Sequence, residues 1–293
     1  MIRKALALIL SLIFTFTFFY LAIDRYSKEE NNEPRKVLLI SIDGLRSDAV
    51  KGAEYGKYLT ENSAYSLEVT TVYPSVTLPC HTSMFHSVSP EGHGVSTNTY
   101  TPTGDLGDGI AETLFAEEMS SAIFYNWREI GYIVSDGSVS KEEYIPGETL
   151  GWEEANALVG EACIGHIQNT PTDFVFLYLG FLDEWGHRYG WLSDEYYYAL
   201  NESFALIERV IAEAKKQNYT VIITSDHGGH DYGHGSDSAE DMTIPLFIIG
   251  DGYRAGEALG KLSILDVAPT VTQILGIEIP SHWEGTPIAE AGE

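Results

Sequence analysis

The chain of 293 residues has few cysteines and few basic side chains. Cys80 and Cys163 are its only cysteines, and two cysteines make neither a disulfide framework nor a cysteine-rich zinc site. The 17 lysines and arginines stand against 43 acidic residues, which gives a formal charge of −26. This balance argues against a protein that coats DNA or RNA, because no basic stripe is available to neutralise phosphates. It leaves room for a small anionic substrate, since a bound dication would dominate the local field.

One long uncharged stretch lies near the N-terminus. Residues 5 to 23 hold no charge and follow Arg3 and Lys4. About 20 apolar residues span a bilayer, and flanking positive charge favours a cytoplasmic N-terminus. We therefore predict a transmembrane helix that acts as a signal-anchor, with residues 1–35 as anchor and tether. Residues 36–293 would form one domain outside the cytoplasm, or a secreted domain if the N-terminal segment is cleaved.

After residue 36, short apolar runs rich in β-branched residues alternate with helical patterns. Buried strands are predicted in Lys36–Asp43, Asp173–Asp183 and Tyr219–Ile223. Ser193 is a predicted N-cap for a long helix that ends near Lys216, and residues 135–149 are predicted to form a loop. This alternation predicts an α/β fold with a doubly wound, mostly parallel central sheet and helices on both faces.

Three of the predicted strands end in aspartate, and histidines follow closely. Carboxylate oxygen and imidazole nitrogen are the ligands that zinc takes in catalytic sites. Open α/β sheets bind ligands at the C-terminal ends of their strands, which is where these residues fall. Six such ligands suffice for two dications, a pair that clamps the attacking and leaving oxygens of a phosphoryl displacement. The candidate ligands are Asp43, Asp183, His187, Asp226, His227 and His234.

These residues form an ordered series with the segment Pro74–His81, the pair His93-Gly94 and Asn98. The series resembles the alkaline phosphatase superfamily, and within it the type I phosphodiesterase/nucleotide pyrophosphatase family. The resemblance covers roughly residues 36 to 285. It implies an alkaline phosphatase-like fold and hydrolysis of phosphate diesters through a phospho-threonine intermediate. It further implies two Zn²⁺ as cofactors and a small phosphodiester or nucleotide as substrate, with membrane attachment through the N-terminal helix and no nucleic-acid polymer as partner.

Carried over position by position, the resemblance also implies roles for single residues. Thr77 matches the nucleophile, and its oxygen would also bind the second zinc. Asn98 matches the side chain that binds a non-bridging phosphate oxygen. The first zinc would be held by Asp183, His187 and His234, and the second by Asp43, Asp226 and His227. Elementary chemistry agrees, because a threonine hydroxyl becomes a useful nucleophile when a metal lowers its pKa.

The other histidines are given structural roles. His81 is expected to pack behind the site rather than to bind metal, and His93 is expected to shape a turn. His230 is assigned to loop geometry, while His86 and His166 are expected in the core or at the surface.

The chain departs from the family pattern at two places. Only six residues separate His227 from His234, where animal members of the family carry a long insertion. Leu78 follows the predicted nucleophile, where nucleotide-cleaving members have an aromatic residue. The aromatic residues just beyond His187 could replace this stacking surface, or they could pack within the helix. They are Tyr189, Trp191 and Tyr196–Tyr198.

Several alternative functions remain at this stage. A phosphomonoesterase is the closest, although neither Arg46 nor Arg188 stands where that class places its phosphate-binding arginine. A phosphonate hydrolase shares the threonine and the ligand set. A sulfatase is disfavoured because the Cys-x-Pro-x-Arg signature is missing, and a cofactor-independent mutase because its large inserted domain is missing. A non-catalytic, membrane-anchored binding protein is disfavoured because the nucleophile, the six ligands and Asn98 are all present.

Overall fold

The computed structural model describes residues 35–99 and 106–290. The segment that we predict to span the membrane therefore lies outside the described residues. Of the helices inside that range, none has the length and apolar character needed to cross a bilayer. The signal-anchor, and the division of the chain at residue 35, stay predictions.

A mostly parallel sheet of eight strands forms the centre of the fold, as predicted. The strands are β1 (Lys36–Ile42), β2 (Ala64–Thr70), β3 (Ser121–Tyr125), β4 (Lys141–Tyr144), β5 (Phe174–Leu179), β6 (Tyr219–Thr224), β7 (Thr243–Ile249) and β8 (Lys261–Ser263). Their order across the sheet is β4-β3-β5-β1-β6-β7-β2-β8. Strand β7 runs antiparallel to β6 and β2, and the other neighbouring pairs are parallel.

Helices cover both faces of the sheet. They are α1 (Ser47–Val50), α2 (Glu54–Asn62), α3 (Thr77–His86), α4 (Pro90–His93), α5 (Ile110–Ala116), α6 (Gly147–Leu150), α7 (Trp152–Asn169), α8 (Phe181–Tyr189), α9 (Asp194–Lys216), α10 (Ala239–Met242) and α11 (Val267–Leu275). Short 3₁₀ helices occur at Arg128–Ile133 and Ile264–Asp266. The long helix α9 begins as predicted, because the Ser193 hydroxyl accepts a hydrogen bond from the Tyr196 backbone N–H.

Two hydrophobic cores lie on opposite faces of the sheet. Successive side chains of a strand point to opposite faces, and β1 shows this alternation. Leu38 and Ile40 pack into the core that includes α7 and α9. Val37 and Leu39 pack into the core that includes α3 and α11. A strand that is buried on both faces reads as a continuous apolar run, which explains why the central strands are visible in the sequence.

The structure corrects two of the predicted elements. The predicted loop over residues 135–149 contains strand β4 and the short helix α6. Strand β4 is at the edge of the sheet and has the polar sequence Lys-Glu-Glu-Tyr, so no apolar pattern marks it. Asp183 does not end a strand either, because β5 stops at Leu179 and Asp183 lies in the first turn of α8. The apolar run continues past β5 because Phe181 and Leu182 are the buried residues of that turn.

Candidate active site

The central strands bring three carboxyl groups together at the C-terminal ends of the strands. Strand β1 is paired in parallel with both β5 and β6, so the C-terminal ends of these three strands lie side by side. Asp43 follows β1 directly, and Asp226 follows β6 by two residues. Asp183 enters from α8, the helix that begins just after β5. Asp43 and Asp226 are fully buried, so carboxyl groups are concentrated away from water at the C-terminal ends of these strands.

The first cluster of candidate metal ligands consists of Asp43, Asp226 and His227. One ligand atom from each residue lies within 4.8 Å of the others. The Nε2 atom of His227 is 3.3 Å from Asp43 Oδ1 and 3.2 Å from Asp226 Oδ2. The three residues predicted for the second zinc therefore meet at one point.

The second cluster consists of Asp183, His227 and His234, whose ligand atoms also lie within 4.8 Å of one another. Asp183 Oδ1 is 3.8 Å from His234 Nε2, and Asp183 Oδ2 is 3.5 Å from His187 Nε2. His187 reaches Asp183 because residues four apart share one face of a helix. His227 belongs to both clusters, and its ring stacks on that of His234 with centroids 3.6 Å apart. The structure thus brings together all six predicted ligands.

Three of these imidazoles share one orientation. In each ring, Nδ1 lies at hydrogen-bond distance from a backbone carbonyl oxygen. A carbonyl only accepts hydrogen bonds, so Nδ1 carries the proton and Nε2 keeps its lone pair for the cluster. Outer hydrogen bonds of this kind orient histidine ligands in metal sites. The distances are 3.0 Å from His187 to Tyr232, 2.8 Å from His227 to Gly228 and 2.8 Å from His234 to Ser75.

Burial dominates the protonation of the cluster. Desolvation raises the pKa of Asp43 well above its usual range, and the charges of Asp226 and Asp183 raise it further. Desolvation likewise raises the pKa of Asp226, and it raises the pKa of Asp183 to about 8. It also lowers the pKa of His234 to about 4 and that of His227 well below its ordinary value. The imidazoles are therefore neutral at pH 7, the form that binds metals.

Buried oxygen atoms without partners show that the donor set fits a cation. Asp43 Oδ1, Asp183 Oδ1 and Asp226 Oδ2 are buried and have no hydrogen-bond partner. Each faces one of the Nε2 atoms described above at 3.2–3.8 Å. Buried polar atoms are normally satisfied, so three orphaned carboxylate oxygens in one cluster need an explanation. A dication bound among them would supply the missing partner.

The predicted nucleophile lies against this cluster. Thr77 is the first residue of α3, and its Oγ1 is 3.2 Å from His227 Nε2. Asn98 accepts a hydrogen bond at its Oδ1 from the Leu78 backbone N–H, at 2.9 Å. Because the oxygen of the Asn98 amide is used in this way, its NH₂ group is left for the cavity. That cavity has a volume of about 170 Å³ and is lined by Thr77, Asn98 and four of the predicted ligands.

Two further buried side chains hold groups of the site in place by hydrogen bonds. The His81 ring has Nδ1 2.9 Å from the Thr77 carbonyl oxygen and Nε2 2.9 Å from the Ser41 hydroxyl. His81 is thus committed to other groups, as expected. The Tyr178 hydroxyl donates to Asp43 Oδ2. The sequence analysis did not identify Tyr178, and its alternating position within β5 was the only available signal.

The remaining histidines lie outside the clusters. The Nδ1 of His93 accepts a hydrogen bond from the Val95 N–H across a turn, which agrees with its expected role. His230 Nδ1 is 2.7 Å from Asp241, whose other oxygen accepts hydrogen bonds from the N–H and hydroxyl of Ser236. Asp241 therefore fixes the chain on both sides of His234. Nothing in the sequence analysis pointed to it.

The aromatic residues just beyond His187 are not among those that line the cavity. Trp191 and Tyr196 are buried and both donate a hydrogen bond to the Gly44 carbonyl oxygen, at 3.0 and 2.8 Å. They pack behind the site, which is the second of the two roles considered above. Trp127 and Trp152 line the cavity instead, and the sequence analysis named neither of them as a site residue.

Comparison with known protein families identifies the chain. The model of the type I phosphodiesterase/nucleotide pyrophosphatase family matches residues 37–242. The chain belongs to this family. The match confirms the resemblance drawn from the motifs, and it spans every residue of both clusters.

Solved structures of other proteins share this fold. An inactive form of murine ectonucleotide pyrophosphatase/phosphodiesterase 5, in complex with AMP, superposes with a TM-score of 0.73 at 16% identity. The superposition covers 86% of this chain and 97% of that one. A phosphonate monoester hydrolase from Silicibacter pomeroyi gives a TM-score of 0.66 at 16% identity, over 87% of this chain and 76% of the other. At such identities these likenesses establish the fold alone.

Curated sequences match over shorter stretches. A stretch of 60 residues, 20% of this chain, is 43% identical to a protein of Myroides odoratus named calcium-transporting ATPase. This stretch is only 11% of that relative's length.

Replacing Tyr178 with phenylalanine removes the hydroxyl that donates to Asp43. We expect Tyr178→Phe to weaken Zn²⁺ binding by about 10- to 100-fold, because groups that orient a ligand contribute on that scale. Titration of the metal-free protein with Zn²⁺ measures the change. Tyr219→Phe is the matched control, since it removes a buried hydroxyl bonded to the Thr172 carbonyl, before the start of β5. Equal affinity in both variants would contradict this role for Tyr178.

Proposed function

We propose that the protein is a two-zinc phosphodiesterase of the nucleotide pyrophosphatase type, which hydrolyses small phosphate diesters through a phospho-threonine intermediate. The family match supports the class of reaction. The two metal ions and the threonine nucleophile are supported by one observation. The Thr77 hydroxyl lies 3.2 Å from His227, the residue shared by both clusters. A nucleophile in contact with the histidine that two clusters of candidate metal ligands share is suited to an in-line displacement at phosphorus.

The ligand sets rest on the clusters and on the family resemblance, which places His187, 3.5 Å from Asp183, at the same cation. One Zn²⁺ would be held by Asp43, Asp226 and His227 together with Thr77. The other would be held by Asp183, His187 and His234. When bound, the two cations supply Lewis-acid stabilisation of the phosphoryl oxygens and lower the pKa of bound hydroxyl groups.

The side chains then have distinct tasks. Thr77 Oγ1 attacks phosphorus, the bond from phosphorus to one ester oxygen breaks, and that alcohol leaves. The amide NH₂ of Asn98 donates to a non-bridging oxygen, where negative charge develops. Water then attacks the phospho-threonine, releases a phosphate monoester and restores the Thr77 hydroxyl.

A diester is favoured over a monoester by the surroundings of Arg46. A monoester dianion carries one more charge than a diester, and phosphatases use an arginine to bind it. The Arg46 guanidinium is already bonded to Asp48 and to the Gly229 carbonyl oxygen. No lysine or arginine of the described chain lines the catalytic cavity. The cavity therefore offers little for the second charge.

The location of the enzyme remains a proposal that rests on the sequence. The uncharged run of residues 5–23 after Arg3 and Lys4 supports an anchor in the membrane. The catalytic domain would then lie outside the cytoplasm, or be secreted if the run is removed.

Hydrolysis of two chromogenic esters tests the proposed function. We expect the zinc-loaded protein to cleave bis-p-nitrophenyl phosphate faster than p-nitrophenyl phosphate, and we expect a chelator to abolish both activities. The physical reason is that no lysine or arginine of the described chain lines the cavity to compensate the extra charge of the monoester. A monoester preference would place the protein with the phosphatases. Activity that survives removal of all metal would contradict the proposal.

The nucleophile is tested by a pair of threonine variants in α3. Thr77→Ala should reduce diester hydrolysis by about 10³-fold or more while Zn²⁺ content stays near that of the parent. Thr82→Ala is the control, because Thr82 is buried in the same helix and its hydroxyl donates only to the Leu78 carbonyl oxygen. Turnover by Thr77→Ala within a few-fold of Thr82→Ala would rule out this nucleophile.

A further inference from the structure

Two segments of the active site are joined by a pair of opposed hydrogen bonds. The nucleophile segment runs from Ser75 to Thr77, the first residue of α3, and the ligand segment runs from His234 to Ser236. The Ser75 carbonyl oxygen lies 2.8 Å from His234 Nδ1, and the Ser75 hydroxyl donates to the Ser236 carbonyl oxygen at 2.7 Å. Ser75 is fully buried. One serine therefore binds both ends of the ligand segment.

The middle of the ligand segment also approaches the nucleophile segment. Gly235 has a φ of +108°, a conformation that residues with a Cβ rarely adopt. A Cβ at this position would lie 3.3 Å from Val76 Cγ2, so little space is left between the two segments. The contacts between them therefore include Val76 as well as Ser75.

Asp241 holds the ligand segment by a separate set of hydrogen bonds. Its Oδ2 accepts hydrogen bonds from the N–H and the hydroxyl of Ser236, at 2.8 and 2.7 Å, and its Oδ1 lies 2.7 Å from His230 Nδ1. The side chain is fully buried. Desolvation raises the pKa of this carboxyl group, but the hydrogen bonds from His230 and Ser236 lower it more, so the pKa lies below its ordinary value. Asp241 is therefore ionised at pH 7, and hydrogen bonds to an ionised group are among the strong ones.

Ser236 joins this buried charge to the nucleophile segment. Its N–H and hydroxyl are bonded to Asp241, and its carbonyl oxygen is bonded to Ser75. Neither Asp241 nor Ser75 lines the catalytic cavity. An effect of these two side chains on the reaction would therefore act through His234 and Thr77.

We propose that Ser75 and Asp241 are positioning residues that set the place of His234 relative to Thr77. Asp241 fixes Ser236, and the two hydrogen bonds of Ser75 fix the nucleophile segment to the ligand segment. This inference rests on the proposed function, because His234 contributes to the reaction as a ligand of one of the two zinc ions.

Zinc titration tests the positioning role. The two proposed ions are here called the His234 zinc and the Asp43 zinc. Metal-free full-length protein is titrated with Zn²⁺ against a chromogenic chelator, and the binding step lost in His234→Ala identifies the His234 zinc. We expect Ser75→Ala and Asp241→Asn each to weaken the His234 zinc by about 10- to 100-fold and the Asp43 zinc by less than about threefold. The reason is that groups which orient a ligand contribute on that scale, and only to the ion that this ligand binds.

Two buried side chains with similar hydrogen bonds serve as controls. Ser63→Ala removes a hydroxyl that donates to the Leu59 carbonyl oxygen in α2. Asp266→Asn removes the charge of a carboxyl group that accepts hydrogen bonds from two backbone N–H groups. Neither side chain lines the catalytic cavity. Both controls should bind zinc like the parent, and a loss of the His234 zinc equal to that of the matched variant would overturn the inference.

Steady-state kinetics separate positioning from contact with the substrate. At Zn²⁺ concentrations that saturate both sites, Ser75→Ala should lower kcat for bis-p-nitrophenyl phosphate by about tenfold, because a displaced nucleophile reacts more slowly. KM should stay within about twofold of the parent value, since Ser75 does not line the cavity. A raised KM with unchanged kcat would show that Ser75 acts on substrate binding, and would overturn its positioning role.

The contrary outcomes are distinguishable. Equal weakening of both zinc ions in the Ser75 and Asp241 variants would show a general loss of structure, which overturns the inference and leaves the proposed function standing. Unchanged affinity for both ions would do the same. A parent protein that binds no zinc and cleaves no diester would overturn both. If Asp241→Asn does not fold, Ser75→Ala still decides the outcome, because it removes only a hydroxyl and keeps the carbonyl oxygen that contacts His234.

Discussion

Three carboxyl groups, two of them fully buried and the third mostly buried, lie in one small volume and impose the electrostatic constraint on which the site depends. Burial raises the pKa of Asp43, Asp183 and Asp226, because charge removed from water is costly unless it is compensated. The protein supplies no lysine or arginine to the cavity within its described residues. It supplies imidazoles instead, with their Nδ1 atoms directed to backbone carbonyls and their Nε2 atoms directed inward. This arrangement is suited to a cation from outside the chain.

The fold holds this costly arrangement by fixing its backbone. Strands β1, β5 and β6 are adjacent, and hydrophobic cores on both faces of the sheet fix their ends. The loop after His227 is tied to α10 by hydrogen bonds from the N–H groups of Gly228 and Gly229. A Cβ at Gly228 would lie 2.0 Å from the Glu240 carbonyl oxygen, so only glycine allows this approach. Together with Asp241, these contacts place His234 opposite Asp183 without a long insertion.

Much of the site could be predicted from sequence because its residues follow strands that are buried on both faces. Asp43 comes directly after such a run, Asp226 and His227 follow another within three residues, and His187 lies one helical turn beyond Asp183. Strand β4 was not predicted because an edge strand needs no apolar pattern. The position of Trp127 at the cavity was not predicted because it depends on strand order. Trp127 follows β3, and only the pairing of β3 with β5 brings it near Asp183. Long-range pairing of this kind has no local signal in one sequence.

Under the proposed function, the two clusters hold a pair of metal ions in contact with Thr77. The most direct test is a crystal structure of the zinc-loaded protein with anomalous scattering measured on both sides of the zinc absorption edge. We expect two zinc peaks about 4 Å apart, one at Asp43, Asp226 and His227 and the other at Asp183, His187 and His234. Thr77 Oγ1 should lie within bonding distance of the first. A single peak, or two peaks away from Thr77, would contradict the account.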